Sequence, residues 1–117
     1  MPNADKITIY TGDTLKVQYE SLQADPTDAN SYGFTKSVAL PDSARAQVWD
    51  VTRQDFLEIG GTGIDFAAAD VEDNIITYLL DGEFTTDEGS YKIFITAVYP
   101  DGQEVTEMRA FKIAPRS

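Results

Sequence analysis

The chain has no cysteine and no histidine, and its 117 residues carry only 9 basic side chains against 20 acidic ones. Without cysteine there is no disulfide, no thiol nucleophile and no thiolate zinc site, and nothing in the composition asks for an oxidising compartment. Without histidine the commonest general base and the commonest metal ligand are missing, so hydrolases built on a His-paired nucleophile are excluded. The formal charge of −11 opposes a phosphate backbone, which is bound by clustered Lys and Arg, so nucleic acid is not an expected partner. No apolar run approaches the roughly 18 residues that span a bilayer. The start Met1-Pro2-Asn3-Ala4-Asp5 has neither the basic nor the apolar part of a signal peptide. The expectation is a protein made in the cytoplasm, with no signal peptide, no membrane partner and no cofactor.

What remains is enough for a packed fold. Hydrophobic residues make up 42% of the chain, including 6 Phe, 6 Tyr and 1 Trp, and the length suits one domain spanning residues 1–117. The apolar residues recur with period two, the signature of half-buried strands. Ile7 and Ile9 alternate with polar neighbours, and so do Leu15, Val17 and Tyr19 after the break at Thr11-Gly12-Asp13. Residues 21–43 are rich in turn formers; such a length without structure in a compact domain is functional, mobile, or hides a short strand near residues 37–40. In Ala44 to Val51 the parity is open: Ala44, Ala46 and Val48 share one face while Trp49 and Val51 share the other, so a bulge is possible, and Trp49 is expected to be a core residue rather than a ligand contact. Ile75 to Leu80 is apolar on both faces, as a strand covered on both sides would be. Pro100-Asp101-Gly102 is a turn, and the strand after it changes parity between Met108/Ala110 and Phe111/Ile113, which predicts a bulge.

The segment Asp87-Glu88-Gly89-Ser90-Tyr91-Lys92-Ile93 joins a turn to an alternating strand. Gly89 relieves the tight approach, and the Tyr91 hydroxyl is placed to bond back to backbone near Asp87, a tyrosine corner. With about seven short strands and no helical period, the fold class is all-β: an antiparallel β-sandwich of immunoglobulin-like type.

Chemistry-bearing groups are few. Ten acidic residues and no basic one lie between Arg53 and Lys92. Within them Asp70, Glu72 and Asp73 could pair as acid and base of a glycosidase, or join Asp65 around calcium through oxygen ligands. Their spacing matches no calcium loop, and a solvated acidic turn is the plainer reading. Gly60-Gly61-Thr62-Gly63 lacks the Gly-Lys-[Ser/Thr] end of a phosphate loop. Tyr32, Phe34 and Tyr99 are candidate contacts for a partner, and with Tyr10 and Tyr19 they would form a sugar platform only if several were exposed together. The chain is not expected to be an enzyme.

Gly12-Asp13-Thr14-Leu15, Leu40-Pro41-Asp42-Ser43-Ala44-Arg45-Ala46, the corner Gly89-Ser90-Tyr91 and the turn Pro100-Asp101-Gly102 leading to Phe111-Lys112-Ile113 together resemble the immunoglobulin-like domain at the N-terminus of phage baseplate upper proteins, and the related domains that decorate phage capsids and tails. The resemblance implies a non-enzymatic structural protein located in the virion, docked by an edge strand or end loop on other virion proteins or in a homo-oligomer. The alternative is a carbohydrate-binding or cell-surface adhesion module.

Overall fold

The computed structural model describes residues 7–21, 23–24 and 38–116. Ten strands follow in chain order: β1 (Ile7–Tyr10), β2 (Leu15–Glu20), β3 (Gln23–Ala24), β4 (Val38–Ala39), β5 (Ser43–Asp50), β6 (Asp55–Phe56), β7 (Ala67–Glu72), β8 (Ile75–Leu80), β9 (Gly89–Val98) and β10 (Glu104–Ala114). Helical structure among the described residues is limited to one 3-10 turn, Gly82–Phe84. The molecule is all-β, as the alternation predicts.

Eight strands run in the order β1-β10-β9-β5-β7-β8-β2, with β6 also paired to β5, and they fold into a sandwich. One layer is β1-β10-β9-β5-β6 and the other β7-β8-β2. The layers join where Ala44–Ala46 of β5 pair with Ala67–Ala69 of β7. Small side chains there let one strand pass from layer to layer. β1 pairs with β10 in parallel, Ile7 opposite Phe111 through Tyr10 opposite Ala114. The strand expected near residues 37–40 is β4, paired with β3.

The core lies between the layers. Val17 and Leu15 of β2, Ile76 and Leu80 of β8, Val48 of β5 and Ile93 and Ile95 of β9 fill it, and the Tyr91 ring stacks on Phe111 at 5.2 Å and 13°. Burying such side chains supplies most of the stabilising free energy, about 1.5–3 kcal/mol each.

Three expectations about faces are corrected. β5 has no bulge: its register against β9 is unbroken from Ser43↔Val98 to Asp50↔Tyr91, so Ala44, Ala46 and Val48 point inward and Trp49 points outward. β10 likewise runs in register from Glu104↔Val98 to Ile113↔Gly89. Phe111 and Ile113 face the core while Met108 and Ala110 face out, and the parity change marks where the inner face loses its cover. β8 is covered on one side only; Ile76, Tyr78 and Leu80 are buried, but Leu79 on the outer face is 53% exposed.

Candidate functional site

Several polar side chains converge on the corner at Tyr91. The Tyr91 hydroxyl donates to the Asp87 carbonyl at 2.7 Å, tying the strand to the turn four residues upstream. Gly89 holds φ at +150°, and a Cβ there would sit 2.7 Å from Thr52 Oγ1, so a side chain would have to displace Thr52 and hold a strained backbone. Sequence reasoning missed the other half of the assembly. Asp50, 1% exposed, accepts from the Arg53 guanidinium at 2.8 Å and from the Arg53 backbone N–H at 3.0 Å. The same guanidinium reaches the Tyr91 hydroxyl and the Glu88 carbonyl, each at 3.4 Å. Donating a hydrogen bond to Asp50 raises the Arg53 pKa further, and burial pushes the Tyr91 phenol up, with Asp50 adding to the effect. The pairing Asp50-x-x-Arg53 at the end of an apolar strand was the available signal: an acid there stays buried only with a cation in reach. These bonds tie the end of β5 to the turn before β9 and so clamp the corner.

The carboxylates singled out by sequence do not converge. Asp70 and Glu72 point outward from β7, Asp73 sits in the following turn with φ +53°, and Asp65 lies in the loop before the strand. Among the described residues no three acidic side chains gather closely enough to hold a metal ion. Asp70 and Glu72 border an open groove of about 400 Å³ on the outer face of β7-β8-β2, with Gln18 and Thr77. Gln18 Nε2 donates to Thr77 Oγ1 at 3.0 Å across this face. A glycosidase sets its two carboxyls on either side of a scissile bond. These two lie side by side on one strand.

Of the expected contact residues, Tyr32 and Phe34 lie outside the described residues. Tyr99 is corrected: it is 2% exposed, because the turn Pro100-Asp101-Gly102 folds its ring inward, where its hydroxyl meets Ser21 Oγ at 2.5 Å. Tyr19 is half-buried beside it, its hydroxyl 3.4 Å from the Ile95 carbonyl and its pKa pushed up to about 12, first by burial and then by Glu107.

The exposed aromatic face is the outer surface of β10-β9-β5-β6, built by positions not singled out for it. Trp49 opposes Phe56 and Lys92, and Phe94 lies between Gln47 and Met108. Trp49 and Phe56 meet edge to face, 4.8 Å apart at 70°. Phe56 and Met108 are 39% and 46% exposed. Arg45, Lys92 and Lys112 share the face with one acid, Glu104, which pairs with Arg45 at 3.1 Å. In a chain of net charge −11 this face is locally cationic. No helix among the described residues is long and apolar enough to cross a membrane.

No protein-family model and no curated protein sequence matches the chain. A solved structure does: the crystal structure of CopC from Methylosinus trichosporium OB3b is similar over 96% of this chain and 86% of that one, with a TM-score of 0.54 and 15% identity. The expectation of a virion structural protein is thereby overturned, since the likeness leads to a copper-binding protein and not to a phage domain. The strand and turn signals behind that expectation belong to the sandwich as such, and at this level of identity what the chain shares with CopC is the fold.

Proposed function

We propose that the chain is a non-catalytic protein-binding module whose outer β10-β9-β5-β6 face docks a partner presenting apolar side chains ringed by carboxylates. The observation that carries this reading is the joint exposure of Phe56 and Met108 around half-buried Trp49 and Phe94, bordered by Lys92 and Lys112, on an otherwise acidic molecule. Large apolar side chains at the centre supply the binding energy and cations at the rim select and steer an acidic partner. The lack of histidine and cysteine in the whole chain supports a role without catalysis.

A copper role like that of CopC would be without nitrogen and thiolate side-chain donors here. Imidazole, thiolate and thioether groups are the softer ligands that suit copper. The chain has no histidine, no cysteine and two methionines, Met1 and Met108, and Met108 stands on an open face. The glycan alternative asks for aromatic rings lying flat together, whereas Trp49 and Phe56 are 70° apart.

The test is selection of a ribosome-displayed random peptide library on the immobilised chain. Enriched peptides are expected to combine Asp or Glu with a large apolar residue and to lose binding to Phe56→Ala and Lys92→Glu. Peptides that bind both variants as well as the parent, or no enrichment at all, would overturn the reading.

A further inference from the structure

β10 is eleven residues long, but β1 covers only its last four, Phe111–Ala114. From Glu104 to Ala110 its outer edge has no strand beside it among the described residues. Every residue from Glu104 to Met108 is exposed, while Arg109 and Ala110 are half-buried.

The direction of each backbone group follows from the ladder. In an antiparallel pair alternate residues direct both N–H and C=O to the same neighbour. Tyr99 N–H donates to the Gln103 carbonyl at 2.9 Å and Tyr99 opposes Gln103, so odd-numbered residues of β10 bond to β9. Even-numbered residues therefore face the other way. Ala114 does so, accepting from the Thr11 N–H at 3.0 Å. Glu104, Thr106, Met108 and Ala110 thus hold their backbone N–H and C=O toward the open edge.

The side chains give that edge an address. Val105, Glu107 and Arg109 lie on the core side of β10, opposite Ala97, Ile95 and Ile93. Tyr19 of β2 reaches beside them, its hydroxyl 3.4 Å from the Ile95 carbonyl opposite Glu107, and Glu107 and Arg109 pair with each other at 3.2 Å. A second copy of this chain fits poorly. Antiparallel pairing that used the whole edge would centre on residue 107 and set Glu107 against Glu107, and the 99–103 turn of one copy would run into β1 of the other.

We propose that the β10 edge from Glu104 to Ala110 is a strand-acceptor site, taking an extended segment of a partner protein in line with β1 and parallel to β10, with a basic side chain opposite Glu107 and an acidic one opposite Arg109. Main-chain hydrogen bonds from the four even-numbered residues supply affinity and the inner-face charges set register, the usual division in strand addition. The site is separate from the aromatic face, so it stands or falls independently of the docking reading above.

The test uses the full chain and two synthetic peptides, Thr-Val-Thr-Lys-Val-Glu-Thr and its charge-swapped form Thr-Val-Thr-Glu-Val-Lys-Thr. Amide hydrogen exchange on the free chain is expected to be fast at Thr106, Met108 and Ala110 and slow at Glu107 and Arg109. The first peptide should slow exchange at the three even-numbered amides, and the swapped form should bind about ten-fold more weakly, as two attractive cross-strand pairs turn repulsive. Glu107→Lys with Arg109→Glu should reverse the preference. Protection of the even-numbered amides in the free chain would mean that residues 1–6 or a second copy already occupy the edge, and would overturn the proposal; so would equal binding of both peptides.

Discussion

Phe111 and Phe56 show what a side chain's face is worth. Both lie in strands of the same layer, yet Phe111 is fully buried against Tyr91 while Phe56 stands on the outer face beside Trp49. Phe111→Ala is expected to cost about 3–5 kcal/mol in urea unfolding, the range for emptying an aromatic core site. Phe56→Ala should cost about 1 kcal/mol or less, the scale of one edge-to-face contact, while shifting the emission of the single tryptophan. Tyr91→Phe removes the bond to the Asp87 carbonyl and should cost about 1 kcal/mol with no change in fold. The tyrosines also set an alkaline limit. Burial raises the Tyr19 phenol from 10.0 to about 12 and raises Tyr78 and Tyr91 in the same direction. A raised folded-state pKa means that the neutral form is the stabilised one. Its contribution is complete below pH 10 and is lost as pH climbs toward 12. Urea midpoints should therefore hold steady up to pH 10 and fall above it, and Tyr19→Phe should flatten part of that fall.

Elements are joined here by close backbone contact as well as by ladders. The 3-10 turn Gly82–Phe84 lies against the β1–β2 turn: Gly12 N–H donates to the Thr85 carbonyl at 3.1 Å, and Thr85 Oγ1 donates to the Asp13 carbonyl at 2.7 Å. A Cβ on Gly82 would stand 2.2 Å from the Gly12 carbonyl oxygen, which is backbone and cannot swing aside. Gly82→Ala is expected to destabilise by roughly 1–3 kcal/mol, read by thermal unfolding, because the two turns must separate. A change small enough to leave the melting temperature unmoved would show that the turns do not depend on each other. The parity breaks in β5 and β10 belong to this scale too. Both were legible as breaks, and bulges were the local explanation. The sheet chose the other one: an unbroken strand can carry apolar residues on both faces when one face is the core and the other a surface patch, and residue order alone does not distinguish the two.

Across the whole molecule the dominant quantity is charge. With a formal value of −11, self-repulsion opposes compaction, and raising salt from about 0.01 M to about 0.15 M should raise the melting temperature by screening it. Calcium should do no more than magnesium at equal ionic strength, since no cluster of three acidic groups is found among the described residues. A rise specific to calcium would point instead to a site assembled elsewhere. The cations are also distributed unevenly, with Arg45, Lys92 and Lys112 on one outer face and Asp70 and Glu72 on the opposite layer, so the molecule is polar across its thickness. Under the docking proposal, that arrangement, more than net charge, would decide which face an acidic partner meets.

Period-two alternation at Ile7 to Tyr10, Leu15 to Tyr19 and Tyr91 to Ala97, with turn chemistry at Gly89 and at Pro100 to Gly102, determined an all-β sandwich from sequence, because strand pleat and turn dihedrals are local properties of the chain. The missing histidines and cysteines likewise determined what chemistry the chain does not carry. Tertiary structure decided where side chains ended up relative to solvent. Tyr99 went inside, Trp49 went outside, Asp50 found Arg53, and among the described residues half of the outer edge of β10 was left without a strand beside it. Exposure depends on which layer covers which face, and that pairing joins residues far apart along the chain.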